Sequence, residues 1–281
     1  MCRDKKSLKM KCFHISYLFS KMKKISCTRH ILLLILLTLP RWSFAQQASE
    51  NPLEMYGGSL LAMAGRDSVV LVTDQRFGRG LSLIRSGYSR PVWNEYFSNS
   101  EEATSTATTS VKAPRWIMTA TGLPGDIQSL QSDVQATLQR QISQVPLAGC
   151  MGTPFSTRAA LTLVSHLLYE RRCYLVEPLL VGFDENDDDG QQEPILCSLD
   201  MLGATSITKN YACAGGAAAG LWGSAAQHWR PNLPTDELVQ VALRAFAAGV
   251  DRDILSGYGA LVHILHANGK WEELQMASRN D

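Results

Sequence analysis

The sequence predicts an α+β fold in which two β-sheets pack face to face and helices cover the outer side of each sheet, a four-layer αββα sandwich. The first observation is the order of the elements, which runs strands, two helices, strands, two helices, strands. The second is that the helical segments carry an apolar stripe, as helices do when they cover a sheet. The third is that residues 55–281 contain neither an internal repeat nor a linker, which indicates a single domain.

Residues 1–54 do not resemble part of a fold. They carry ten Lys and Arg against three acids, a net charge of +7, and an apolar run over Ile31–Leu39. The run is too short to span a bilayer, but with Pro40 and Ser43-Phe44-Ala45 it imitates a secretory signal peptide. We favour a start codon assigned too early, with Met55 as the initiator. A genuine extension or propeptide is the alternative.

Charge and cysteine content narrow the class of protein. The remaining residues carry 17 Lys and Arg against 23 acids, a net charge of −6, which argues against a nucleic-acid partner. Cys150, Cys173, Cys197 and Cys213 lack the Cys-x-x-Cys spacing of a metal site. The scatter favours reduced, buried thiols, and two disulfides in a secreted protein are the alternative.

The first predicted element is a β-hairpin. Two apolar runs, Ser59–Ala64 and Val69–Thr73, flank the short turn Gly65-Arg66-Asp67. Asp74 and Arg76 follow where the second run stops, and a strand end commonly presents polar groups to a cleft.

The next predicted elements lead to a pair of helices. Leu83–Tyr88 and Ala113–Thr121 are expected to be strands, and the Ser-, Thr- and Glu-rich stretch Asn94–Thr109 between them is expected to be a surface insertion. Pro124 begins a helix, and Ser156 or Thr157 caps a second one. The two helices have apolar stripes over Ile127, Leu130, Val134, Leu138 and Ile142, and over Ala160, Leu161, Val164, Leu167 and Leu168.

The C-terminal half contains two groups of predicted strands separated by a second pair of helices. The predicted strands are Leu179–Asp184, Ile195–Asp200 and Ile207–Ala214, then Gly259–His266 and Trp271–Met276. Between these groups lie the predicted helices Gly215–Trp229 and Thr235–Val250, of which the second is capped by Thr235. The acidic turn Asp187–Gly190 lacks the alternating ligands and closing Glu of a calcium loop, so we interpret it as a solvated hairpin tip.

Three segments resemble the β-type subunits of the proteasome: Gly57-Gly58-Ser59, Thr73–Gly78 and Asp251–Gly259. Three segments between them also resemble this family, and the similarity is ordered along the chain: Glu177–Asp184, Cys197–Asp200 and Trp229–Asn232. The resemblance covers residues 55–281. It implies the N-terminal-nucleophile hydrolase fold, whose active members attack with a Thr, Ser or Cys that is exposed by cleavage.

The resemblance also implies that the attacking group is missing. The nucleophilic threonine of active members stands sixteen residues before Asp74, which here is Gly58. Ser59 could replace it only after cleavage behind Gly58, but side chains alternate along a strand, so Ser59 is expected to face away from the cleft.

Two further family positions are altered. Arg90 stands where active members have a lysine, and a guanidinium does not release a proton as a tuned amine does. Gly216 replaces a supporting serine. The family pattern is retained at four other positions: Asp74, Asp253, Ser256 and the oxyanion-type Gly122. We interpret Asp74 with Arg90 as a structural ion pair rather than a leftover catalytic pair.

The resemblance therefore implies a non-catalytic structural β subunit of the 20S proteasome core particle. Its partners would be other α and β subunits in stacked rings that carry out ubiquitin-dependent protein degradation in the cytoplasm and nucleus. We predict no catalytic, cofactor-binding or metal-binding residues and no cofactor, nucleic acid or membrane partner. His166, His228, His263 and His266 lack the spacing of a metal site. Subunit contacts are expected near Leu199–Thr208 and Gly269–Asp281.

Two alternatives remain open on the sequence alone. One is an exported amidohydrolase that uses Ser59 after processing. The other is a self-compartmentalised homo-oligomer of the bacterial type, which is weak because a ring of identical subunits without a nucleophile would have no activity.

Overall fold

A computed structural model of the chain describes residues 58–96, 114–144, 155–171, 174–185 and 192–276. By its internal contacts the chain divides into two units, Met1–Ser49 and Glu50–Asp281, and every described residue belongs to the second. The predictions for residues 1–54, for the Asp187–Gly190 turn and for Cys150 and Cys173 concern residues outside these ranges.

The first sheet contains five antiparallel strands in the order β10-β1-β2-β11-β12. The predicted hairpin is confirmed, since β1 and β2 pair with Leu60 opposite Thr73. The strands are β1 (Ser59–Ala64), β2 (Ser68–Asp74), β10 (Tyr211–Gly215), β11 (Ala260–His266) and β12 (Trp271–Met276).

The second sheet also has five antiparallel strands, in the order β5-β6-β7-β8-β9. A separate two-stranded hairpin follows β2 and is made of β3 (Phe77–Arg79) and β4 (Ser82–Arg85). The strands of the second sheet are β5 (Trp93–Asn94), β6 (Trp116–Gly122), β7 (Val176–Glu185), β8 (Gln192–Leu199) and β9 (Thr205–Thr208).

Four helices complete the described part of the chain: α1 (Pro124–Gln144), α2 (Thr157–Arg171), α3 (Ala218–His228) and α4 (Thr235–Val250). Ser156 caps α2 as predicted, because its Oγ accepts a hydrogen bond from the amide of Ala159 at 3.2 Å. The predicted cap of α4 is wrong. Pro234 precedes that helix, and the Thr235 hydroxyl is hydrogen-bonded to Ser68 Oγ at 2.9 Å instead.

Three apolar clusters lie on successive faces of the sheets. One joins α1 and α2 to the second sheet through residues such as Leu130, Val164 and Leu180. Another joins α3 and α4 to the first sheet through residues such as Leu221, Ala242 and Val72. The third lies between the sheets, where side chains of both sheets meet: Leu60, Ala62, Leu71, Ile117, Leu179, Val181 and Leu196. The alternation of side chains across each strand produces this division.

Two of the predicted strands were wrong in outline. Ile207–Ala214 is two strands, because the chain turns at Lys209-Asn210 and passes from the second sheet (β9) to the first (β10). Thr208 Oγ1 donates to the carbonyl of Tyr211 at 2.8 Å across this turn. Leu83–Tyr88 is also no single strand: β4 ends at Arg85 and pairs only with β3.

The predicted surface insertion begins with buried residues. Asn94 belongs to β5, and Glu95 is buried, with its Oε1 accepting a hydrogen bond from the amide of Arg115 at 3.0 Å. The part of the insertion from residue 97 onward lies outside the described residues. The polar composition wrongly placed these first residues on the surface. A buried carboxylate is compatible with a core when a backbone amide donates a hydrogen bond to it.

Cys197 and Cys213 are free, buried thiols, as the scatter of cysteines predicted. Burial raises the pKa of Cys197 to about 11 and that of Cys213 to about 12. Both side chains are therefore protonated and poorly nucleophilic at neutral pH. None of the helices in the described ranges has the length and apolar character needed to cross a membrane.

His263 is a buried titratable group of the first sheet. It lies on the face of β11 that also carries Leu265, opposite Leu71 of β2 and Glu273 of β12. Its Nδ1 is 3.8 Å from Glu273 Oε2, and neither ring nitrogen has a hydrogen-bond partner among the described residues. Burial lowers the pKa of His263 to about 4.

We predict that acid destabilises the fold through His263. The pKa of folded His263 lies below the unfolded value near 6.5. The stability that depends on neutral His263 is therefore fully present above pH 6.5 and is lost as the pH falls toward 4. The total loss in the free energy of unfolding is on the order of 3 kcal/mol. His263→Leu should flatten the dependence of the unfolding free energy on pH in this window, as measured by denaturant titration. An unchanged slope in His263→Leu would contradict the assignment.

Candidate functional site

Gly58 stands immediately before β1, at the position where the family pattern places the nucleophile. It adopts a φ of +103°, in the left-handed region that favours glycine. Its carbonyl accepts a hydrogen bond from the amide of Gly216 at 3.0 Å, which ties the start of β1 to the end of β10. The backbone at this position is therefore tied to β10 but presents no side chain.

The space beside Gly58 is filled by Arg90. A Cβ placed on Gly58 would lie 2.5 Å from Cζ and 2.9 Å from Nη1 of the guanidinium, and closer still to Nη2. Non-bonded heavy atoms do not approach a Cβ so closely, so any side chain at residue 58 requires Arg90 to move. The glycine at residue 58 and the position of Arg90 are thus two parts of one arrangement.

Arg90 is held in place by a buried ion pair. Its Nε donates to Asp74 Oδ1 at 2.7 Å, and its Nη2 donates to the carbonyl of Arg76 at 3.2 Å. Arg90 is 5% exposed and Asp74 is fully buried. Burial raises the pKa of Asp74, whereas the adjacent guanidinium and the amides of Ser59 and Gly257 oppose that shift. The pair links the end of β2 to the segment before β5 through hydrogen bonds to a carboxylate and a backbone carbonyl.

Ser59 is part of a different hydrogen-bonded chain. Its Oγ lies 2.6 Å from Ser256 Oγ and accepts a hydrogen bond from the amide of Ala217 at 3.1 Å. Ser256 Oγ in turn donates to Asp253 Oδ2 at 2.6 Å. Ser59 is fully buried, and it shares a face of β1 with Leu61 and Met63, which pack against α3 and α4. Its oxygen is committed to structural bonds that join three segments of the chain.

The structure brings most of the predicted family positions together. Arg90 is bonded to Asp74 and fills the space beside Gly58, and Gly216 lies beside Asp253, with a Cβ at Gly216 falling 3.3 Å from Asp253 Oδ2. Gly122 is separate from them in the topology, since it lies at the end of β6 in the second sheet, where it has a φ of +119°.

The role of Arg76 could not be seen in the sequence. This side chain is almost fully buried, and its guanidinium donates to the carbonyls of Gly80 at 2.8 Å and Leu255 at 3.3 Å. It therefore fastens the β3–β4 hairpin to the loop after α4. A charged residue directly after a strand was the available signal, but its partners are backbone carbonyls, which a sequence pattern does not reveal.

The histidines are dispersed through the fold. His166 contacts Glu170 on α2 at 3.1 Å, and His228 contacts the carbonyl of Ser224 at 2.8 Å. Within the described ranges, no three His, Cys, Asp or Glu side chains are grouped so as to hold a metal ion.

We predict that Gly58 is required for stability because of Arg90. Gly87 is the matched control, since it also has a positive φ, of +67°, but open space where a Cβ would lie. Gly87→Ala should cost about 1–2 kcal/mol from backbone strain alone. Gly58→Ala should cost roughly 1–3 kcal/mol more, because overpacking adds to the strain. Equal losses in denaturant titrations of the two variants would show that Arg90 does not constrain residue 58.

Comparison with known proteins identifies one family. A family model described as proteasome subunit matches residues 104–265. Proteasome subunit beta type-3 of Trypanosoma brucei brucei is 31% identical over 212 residues, which cover 74% of this chain and 89% of that protein.

Two further relatives bear the same name. The protein of Drosophila melanogaster is 28% identical over 227 residues, covering 80% of this chain and 97% of that protein. The protein of Picea mariana is 27% identical over 217 residues, covering 76% and 92%. The family model and the relatives each match more than half of the chain, and on these grounds the chain belongs to the proteasome subunit family.

Proposed function

We propose that this chain is a non-catalytic structural β subunit of the 20S proteasome core particle. The observation that carries the proposal is the state of residue 58, where glycine stands against the buried guanidinium of Arg90. A proteasome-type active site needs an attacking side chain at that position. Here the fold would support assembly of the particle, and peptide cleavage would be carried out by neighbouring subunits.

We further propose that the domain spans residues 55–281 and has the four-layer αββα sandwich of the N-terminal-nucleophile hydrolases. The support is the set of three apolar clusters, two between a sheet and its helices and one between the two sheets. Two packed sheets with helices on their outer faces are one of the small number of stable layer arrangements.

The proposed partners are other α and β subunits in a hetero-oligomeric stack of rings. A ring contact joins one surface of a subunit to a different surface of its neighbour, so at least two faces need apolar patches. Exposed apolar side chains occur in both regions where the sequence predicted contacts: Leu202 and Ile207 near β9, and Leu274 and Met276 on β12. We propose that the chain acts in the cytoplasm and nucleus, where it takes part in ubiquitin-dependent protein degradation.

The exported amidohydrolase that would use Ser59 is not favoured. Its nucleophile would need to be accessible, whereas Ser59 is fully buried and bonded to Ser256 and Ala217. Releasing its oxygen would break a chain of hydrogen bonds that joins β1 to the loop after α4 and to the start of α3.

Affinity purification tests the proposal. The tagged full-length chain, expressed in its own cells, should co-purify with the complete set of proteasome α and β subunits in a single particle by native mass spectrometry. A reciprocal control, in which another β subunit carries the tag, should recover this chain. Recovery of the chain alone, or as a secreted monomer, would contradict the assignment.

A further inference from the structure

One exposed apolar surface lies near the site but takes no part in it. The turn between β3 and β4 exposes Leu81, which is 79% accessible, and β4 exposes Leu83 and Ile84. Ile254, in the loop after α4, is 76% accessible. Single exposed leucines are ordinary on a protein surface, but a cluster of large apolar side chains marks an interaction site.

Arg76 joins the two segments that carry Leu81 and Ile254. Its Nη2 donates to the carbonyl of Gly80, next to Leu81, and its Nη1 donates to the carbonyl of Leu255, next to Ile254. One guanidinium bonded to both carbonyls places the hairpin turn and the loop side by side. Because Arg76 is buried and the loop is also anchored through Ser256 to Ser59, the surface is held in a fixed shape.

The rim of this surface is basic. Arg79, Arg85 and Arg252 are exposed beside it, and none of the three forms an ion pair with another described residue. The acid exposed in the same loop is Asp251, while Asp253 is bonded to Ser256 and to the amide of Leu255. Residues 55–281 carry a net charge of −6, so a group of three guanidinium groups contrasts with the rest of the domain.

We infer that the surface formed by Leu81, Leu83, Ile84 and Ile254, with its rim of Arg79, Arg85 and Arg252, docks another protein subunit. The partner surface it fits has an apolar centre ringed by Asp and Glu, since arginine forms paired hydrogen bonds with carboxylates. The inference rests on the proposed function, because it assigns one of the contacts that assembly into a ring requires. Apolar burial would supply the affinity, and the charges would select the partner and its register.

Photo-crosslinking tests this inference on the assembled particle. A benzoylphenylalanine residue is introduced at Leu81 or, separately, at Ile254 of the tagged full-length chain, and the particle is purified before irradiation. Both positions should crosslink to the same neighbouring subunit, at a segment that mixes apolar and acidic residues.

Charge reversal supplies the matched variants. Arg79→Glu combined with Arg85→Glu should lower the crosslink yield from Ile254 by about tenfold or more, because like charges facing each other across an interface cost several kcal/mol. Arg66→Glu, in the turn at the other end of β2, should leave the yield unchanged.

The bulky benzoylphenylalanine could itself block assembly, so carbene footprinting is also carried out on the particle without substitutions. Leu81 and Ile254 should then be unlabelled in the particle. Full labelling of both residues, or crosslinks only to lipid or nucleic acid, would overturn the docking surface while the assembly proposal stands. Absence of the wild-type chain from the particle would overturn both proposals, so the two failures are distinguishable.

Discussion

The buried ion pair between Arg90 and Asp74 fixes what can stand at residue 58. Its two charges are removed from water, and the cost of removing either partner is large because the other would be left buried and uncompensated. The guanidinium then lies where a Cβ on residue 58 would have to be. Glycine satisfies both the positive φ and the absence of space, so the identity of residue 58 and the position of Arg90 are linked.

Further buried polar contacts hold the same end of the first sheet. The chain of bonds from Asp253 through Ser256 to Ser59 joins the loop after α4 to β1. Arg76 joins the β3–β4 hairpin to that loop. The polar side chains at this end are engaged with one another and with the backbone. The result is a rigid end of the domain, which suits a surface that must fit a neighbour.

Much of this arrangement could be predicted from the sequence, and the failures have physical causes. The hairpin, the two helix pairs and the last two strands follow from apolar periodicity and turn residues, which report local structure directly. The division of Ile207–Ala214 between two sheets was missed, because an apolar run does not show that the chain changes partners at Lys209-Asn210. The pairing of Asp74 with Arg90 followed from the family resemblance. The resemblance did not predict that Arg90 fills the space beside Gly58, because this depends on how a long side chain packs.

The central claim is that no nucleophile exists at the start of β1. It is tested most directly by treating the purified particle with an electrophile directed at N-terminal nucleophiles and locating the adducts by mass spectrometry. The account predicts adducts on the first residue of catalytic neighbours and none on this chain. An adduct on Ser59 of this chain would contradict it, because that oxygen would have to be exposed and reactive rather than bonded to Ser256 and Ala217.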